Sequence, residues 1–386
     1  MGVFEILLGA GIIFYSLYYY LTSNFDFWEK RNVPGPTPVP FFGNLKNYLL
    51  KRKFIGEILK EFYDVYKNES MFGLFLQKTP ILIVKDPEFI KDVLVKDFTT
   101  FADRGQKVIE EINPLSADLF NLEPDRWRPL RSKLSPVFTS GKLKEMFYLM
   151  IECSEHFEKY VDKMADKPID VDVRELSAKF TTDSIGVCAF GLEMHSIEDE
   201  DSEFRKMGRK IFDSSFISFL KRTLPNLSTL LYKIIAPFVF NDGIDKFFIG
   251  LMKDTMDYRT KNNINRHDFV NLLMDIKKNP EKIKSIGKFK LNMFCFDIKL
   301  EFLHFLTFSE FTDSFLTAQA FVFFAAGFET SSTTISNALL ELALHPDMQN
   351  KLRNEIKEEI ERNDGKLTYE CVKNMKYLDK VFKGKY

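Results

Sequence analysis

The sequence predicts a mainly α-helical protein with one small β region, and three observations carry that expectation. Apolar residues recur at three-or-four spacing through much of the 386-residue chain. Only Met71 to Val84 ("MFGLFLQKTPILIV") sets two short apolar runs around a polar turn, the pattern of a hairpin. Prolines stand where helices open, at Pro87 behind the capping residue Asp86 and at Pro346.

The elements follow in chain order. Ile6 to Leu21 ("ILLGAGIIFYSLYYYL") carries no charge and nears the roughly 20 residues that span a bilayer. It lacks a basic leader and a small-residue cleavage site, so residues 1–23 are expected to be an uncleaved membrane anchor. Lys30 and Arg31 behind it place the rest of the chain in the cytosol. A buried amphipathic helix is the competing reading, weakened because both faces are apolar. Residues 24–44 end in "VPGPTPVPFFGN", whose prolines forbid helix and central strand and make a stiff connector between membrane and globule. Residues 45–386 are expected to form the globular domain.

Within it, Leu143, Met146, Phe147, Met150, Cys153, Phe157, Tyr160 and Met164 mark a long amphipathic helix after Gly141. Another starts at Asp172 and runs through Leu176, Phe180 and Ile185 toward Gly191. A third opens at Pro346, with Met348, Leu352, Ile356 and Ile360 on one stripe and charge opposite.

A formal net charge of −1 gives no general attraction to nucleic acid or anionic surfaces. The four cysteines are far apart, without a Cys-x-x-Cys pair, and the five histidines show no ligand spacing, which argues against a disulfide framework or a zinc site.

Two stretches suggest chemistry. In "FFAAGFETSSTT" (Phe323 to Thr334) an apolar helix meets an acid and a hydroxyl cluster with no loop between them. Ala326 and Gly327 remove side-chain bulk, while Glu329 and Thr330 stand at the edge of an apolar face, a constellation suited to proton transfer in a dry pocket. The bland alternative is a helix leaving the core for solvent. In "RWRPLRSKLSPVF" (Arg126 to Phe138), Trp127 and Arg131 share a helical face and offer an N–H donor and a guanidinium to a carboxylate. A Trp–Arg stack on an ordinary surface helix is the commoner origin of such a pair.

Taken in order, the anchor, "PGPTPVPFFGN", "FTTFADRG", "DRWRPLRSKLSPVFTSGKLKEMF", "AGFETSSTT" and "LALHPDMQNKLRNEI" resemble a microsomal cytochrome P450 of the insect xenobiotic-metabolising type. The resemblance implies the cytochrome P450 fold. It also implies a heme-thiolate monooxygenase that inserts one oxygen atom of O₂ into lipophilic small molecules such as insecticides and plant toxins. Electrons would come from NADPH through NADPH-cytochrome reductase, at the endoplasmic reticulum membrane. By the same resemblance Arg104, Trp127 and Arg131 hold heme propionates, and Ala326 and Gly327 form the oxygen groove. Glu329 and Thr330 would relay protons to the distal oxygen so that the O–O bond breaks heterolytically. Phe101, Phe120 and Phe324 are candidates for the substrate-pocket wall, and Arg126, Arg128 and Lys133 for the surface that docks the reductase.

The sequence departs from that pattern twice. The family places a Glu-x-x-Arg pair after Tyr377 and, beyond it, a Phe-x-x-Gly-x-x-x-Cys-type loop whose thiolate binds iron. The sequence reaches "MKYLDKVFKGKY" without either, so an incomplete domain with no working heme-thiolate site is expected. Residues 288–309, within "GKFKLNMFCFDIKLEFLHFLTFS", stand where the family has a short linker and read as translated intron, since Gly-Lys-Phe at Gly287 is codable as a splice donor and Gly-Lys-Tyr at Gly384 likewise. An ordinary inserted loop is the alternative. A second functional reading, from another class, is a non-catalytic membrane-anchored fragment that binds lipophiles or the reductase.

Overall fold

The computed structural model describes residues 3–165, 170–199, 201–213, 215–240, 242–266, 268–279 and 311–384. Cys295 and the expected insertion at 288–309 lie outside them. The chain divides into two compact units, Met1–Arg104 and Gly105–Tyr386.

In the first unit α1 (Val3–Thr22) leads, through a 3₁₀ turn at Glu29–Arg31, to α2 (Lys46–Leu49) and α3 (Ile55–Val65). The hairpin forms where expected, as β1 (Met71–Leu76) and β2 (Thr79–Val84), antiparallel with Met71 opposite Val84. α4 (Pro87–Lys91) follows, and its cap is the expected one: Asp86 Oδ1 accepts from Glu88 N at 2.9 Å and Phe89 N at 3.2 Å.

The side chains of α1 are largely exposed, Phe4 and Ile13 among them. Among the described residues no helix is long and apolar enough to cross a membrane. Glu5, Gly9, Gly11, Ser16 and four tyrosines dilute the aliphatic content of α1. The proline connector is bonded to the sheet. Gly73 N donates to Pro34 O at 2.8 Å. A β-carbon on Gly35 would stand 2.3 Å from Gly73 O, so glycine is required by close backbone approach there. Trp28 lies over Gly73 and donates through Nε1 to Leu74 O at 2.9 Å.

The second unit is helical in every named element. α5 (Pro124–Leu134), α6 (Ser140–Ala165) and α7 (Val173–Ile185) come first, and a single-turn π segment at Gly186–Phe190 continues α7 until Gly191 ends it at φ +61°. Asp172 caps α7 as its sequence suggests, accepting from Arg174 N at 2.9 Å and Glu175 N at 3.1 Å. α8 (Glu203–Ile211), α9 (Phe216–Leu227), α10 (Thr229–Val239), α11 (Ile244–Lys261) and α12 (Phe269–Lys278) precede the 32-residue α13 (Asp313–Leu344), about 48 Å long at 1.5 Å per residue. α14 (Pro346–Arg362), α15 (Tyr369–Asn374) and α16 (Lys376–Phe382) close the described chain, with the Glu355 carboxylate capping α16 through Tyr377 N and Leu378 N at 2.8 and 2.9 Å.

α13 is the axis of this unit. Leu316, Thr317, Ala318 and Ala320 are fully buried along its first half, and small residues there let neighbouring helices approach. Farther on, Phe324 and Phe328 enter a cluster of rings with Phe190, Phe204, Phe212 and Phe248. Each buried ring adds about 2–3 kcal/mol of hydrophobic stabilisation. A buried ion pair pins the π segment to two helices. Arg259 on α11 donates to both Asp268 oxygens and to Phe190 O, all at 2.7 Å, and to Asn271 Oδ1 at 2.8 Å.

Candidate functional site

The polar stretch of α13 stays helical and does not leave the core as a whole. Phe324, Phe328 and Ser332 are buried on one side, whereas Ala326, Thr330 and Thr334 are exposed on the other. Spacings of four put these three on one line along the helix. The line is low, with only the small side chains of one alanine and two threonines along it.

Its hydroxyls turn back on the backbone. Thr330 Oγ1 donates to Ala326 O at 2.6 Å, Thr334 Oγ1 to Thr330 O at 2.8 Å, and Ser332 Oγ to Glu329 O at 3.0 Å. Such bonds compete with the helical ladder and loosen a helix locally. Thr330 keeps both acceptor lone pairs on the exposed side.

Glu329 points elsewhere. Its carboxylate pairs with Arg174 of α7, and its side chain is 21% exposed against 63% for the arginine. Consecutive helical residues lie about 100° apart, so Glu329 and Thr330 adjoin without sharing a face. Gly327 is also turned toward α7. A β-carbon there would stand 2.7 Å from Ile185 Cδ1, so this glycine admits a neighbouring helix.

On α5, Trp127 is buried and Arg131 is exposed. The Arg128 guanidinium lies 5.6 Å from the centroid of the Trp127 ring. Arg126 pairs with Glu110 at 2.7 Å and lies 5.4 Å from the Phe315 ring centroid, which sets α5 beside the first turn of α13. Arg104 and Phe101 are exposed residues of the first unit. Phe120 borders a cavity of about 680 Å³, together with Asp118, Tyr232, Phe240 and Phe321. Phe324 is not on that wall. It is fully buried among other rings, and Phe321, one turn earlier, lines the cavity.

A second cavity, of about 500 Å³, is almost wholly apolar. Leu143, Met146, Phe147 and Met150 of α6 face Phe323 of α13 and Tyr369 of α15 across it. The apolar stripe read from the sequence of α6 therefore lines a hollow over much of its length.

Heme is the cofactor the resemblance implies, and the donor set allows a direct test. A flat ring with two carboxylates needs a low apolar surface and cationic N–H donors at its edge. The Ala326–Thr330 line is of the first kind, and α5 carries a neutral N–H donor in the buried Trp127 and a cation in the exposed Arg131. The described cysteines do not match the iron. Cys153 is buried, with its thiol 3.5 Å from Ser184 Oγ, and burial pushes its pKa up. Burial pushes the Cys188 thiol to about 11, and Cys371 is fully buried in α15. A cysteine that binds iron does so as its thiolate, the form that burial disfavours at Cys153 and Cys188.

A family model described as Cytochrome P450 matches residues 33–383. Among curated proteins, Cytochrome P450 6B2 of Helicoverpa armigera is 38% identical over 382 residues, which cover 99% of this chain and 72% of that protein. Cytochrome P450 6B1 of Papilio polyxenes is 37% identical over 366 residues, 95% of this chain and 69% of its own length. Cytochrome P450 6A1 of Musca domestica is 36% identical over 382 residues, 97% and 70% respectively.

Proposed function

The chain belongs to the cytochrome P450 family, the heme-dependent monooxygenases, and from that premise we propose that it oxidises lipophilic small molecules, plant toxins and insecticides among them. Electrons come from NADPH through NADPH-cytochrome reductase. The protein sits at the endoplasmic reticulum membrane with its globular part in the cytosol. The exposed apolar side chains of α1 support membrane attachment, and the aromatic residues at Tyr18, Tyr19 and Tyr20 suit an interface. The almost wholly apolar 500 Å³ cavity between α6, α13 and α15 suits a lipophilic ligand better than the 680 Å³ one, whose border also carries Asp118, Lys210, Lys221 and Asp242.

One observation carries the reading. The Ala326–Thr330 line of α13 is open, and a carboxylate adjoins it at Glu329. Trp127 and Arg131 would hold the heme propionates, with Arg104 as a further candidate, and the ring would lie along Ala326 and Thr330. Heme, when bound, supplies the reductive activation of O₂ and the transfer of one oxygen atom. The residues of this chain handle protons. The Thr330 hydroxyl accepts a proton donor on its free lone pairs and can surrender the proton it now directs at Ala326 O. Glu329 stands one residue away, paired with Arg174, and in this reading would collect protons from water and pass them on.

Thr330→Ala and Glu329→Gln test this in the full-length, heme-loaded protein. Thr330→Ala is expected to lower product per NADPH about tenfold and raise hydrogen peroxide, with the heme spectrum intact. Unchanged coupling in both variants would sink the relay.

A further inference from the structure

α7 presents one stripe to three consecutive residues of α13. Arg174, Thr181 and Ile185 fall seven and four positions apart, on one face of the helix. Ile185 packs on Gly327, Thr181 bonds to the carbonyl of Phe328, and Arg174 pairs with Glu329. Each residue just before the exposed Thr330 thus has its own partner on α7.

The Thr181 bond is the informative one. A threonine within a helix ordinarily satisfies its hydroxyl on its own preceding turn. Thr182 does so, donating to Ala178 O at 2.7 Å, and Ser177 does so to Val173 O at 2.7 Å. Thr181 has the same option at Ala178 O, but that contact is long at 3.3 Å, whereas Phe328 O lies 2.9 Å away across the helix interface. Nor does Phe328 O need the bond, because in a continuous helix it already accepts from Ser332 N. The crossing bond is made where neither partner requires it.

It falls on the turn that is softest by its own chemistry. Ala326 O, Glu329 O and Thr330 O each accept a hydroxyl from α13 itself, and such bonds weaken the ladder and favour bending. An external hold on Phe328 O fixes the rotation of this turn about the helix axis. That rotation decides which side chain faces the open line.

We infer that Thr181 is a positioning residue for the proton relay: through Phe328 O it keeps Thr330 on the exposed line while Glu329 stays at Arg174. The inference rests on the relay reading of Glu329 and Thr330 given above. Thr181 touches no substrate and no reacting atom in this role.

Thr181→Val keeps the shape and removes the donor, and Thr181→Ser keeps the donor. In the full-length, heme-loaded protein with reductase, Thr181→Val is expected to lower product per NADPH about threefold, and Thr181→Ser to restore it. Amide exchange across 330–334, followed by mass spectrometry, is expected to speed up about fivefold in Thr181→Val, while 315–320 stays as protected as before. Equal uncoupling by Val and Ser would reduce the residue to packing and overturn the inference. Normal coupling in Thr181→Val alongside uncoupled Thr330→Ala would overturn it and leave the relay standing. Normal coupling in Thr330→Ala and Glu329→Gln would overturn the relay, and this inference with it.

Discussion

Replacing Arg259 with methionine should destabilise the second unit by about 3–4 kcal/mol, and the contributions can be followed atom by atom. Both terminal guanidinium nitrogens are committed to oxygens, with side-chain exposures of 3% for Arg259 and 5% for Asp268. Methionine keeps much of the stem packing, so the loss is electrostatic. Breaking a buried pair by removing one partner costs about 3–5 kcal/mol, because the other charge stays behind. Phe190 O loses its donor as well, a cost of about 1–3 kcal/mol if water does not enter. Arg266 offsets part of this. Its Nε already lies 3.6 Å from Asp268 Oδ2 on a 41% exposed side chain, and such exposed pairs contribute about 0–1 kcal/mol.

The result sits at the lower end of the range and corresponds to a Tm about 8 °C lower for a unit of this size. Thermal and urea unfolding followed by circular dichroism would measure it. The companion variant is Asp268→Asn, alone and combined with Arg259→Met. If the penalty comes from a stranded carboxylate, the double variant should be about 2 kcal/mol more stable than the sum of the single losses. Additive losses, agreeing within about 0.5 kcal/mol, would refute the reasoning and assign the effect to packing alone.

Gly327→Ala should cost about 1–3 kcal/mol through its clash with Ile185, and combining it with Ile185→Ala, which removes both clashing carbons, should cost less than the sum of the two single losses in urea unfolding. Asp118 should give the protein an acid-side stability limb. Burial pushes its carboxyl to about 6 from 3.8, against the hydrogen bonds from Phe120 N and Asn121. A folded-state value above the unfolded one means that the folded protein keeps the proton longer, so stability falls as pH rises from about 4 to about 6, by about 3 kcal/mol. In Asp118→Asn the difference from the parent protein should follow that limb and become flat above it. Carbonate washing of membranes should leave the protein bound, and deletion of residues 1–22 should release it; complete extraction of the undeleted protein would count against attachment through α1.

Local chemistry was legible in the sequence. Asp86 and Asp172 cap helices because a carboxylate before a helical run satisfies backbone donors within three residues, and no distant partner can change that. The hairpin was equally plain, since its pairing is set by a short turn. The site was legible as a list of residues, much less as directions. Glu329 meets a partner 155 positions away in Arg174, and Gly327 is small because of Ile185. A single helical period told that Glu329 and Thr330 were neighbours, but which faced the open line depended on where α7 lies. Thr181 escaped notice because a threonine in a helix signals nothing by type. The recurring seven-and-four spacing of Arg174, Thr181 and Ile185 was the available clue. Phe324, which is buried among rings, carried little signal, as phenylalanine is so abundant here, at 41 residues, that an aromatic next to a polar stretch says little about core or cavity.

The seam between α1 and the hairpin leaves no slack. Trp28 fills the space above Gly73, Phe25 lies 5.3 Å from Phe75, and Lys78 sits 3.3 Å from the centroid of the Tyr20 ring. Prolines remove the remaining torsional freedom on the far side. These contacts join α1 to β1 as a shaft more than as a tether. If α1 lies in a lipid surface, the angle at which that surface meets the sheet is written into an indole, a glycine and one backbone carbonyl, and the membrane can reset it only by prising them apart.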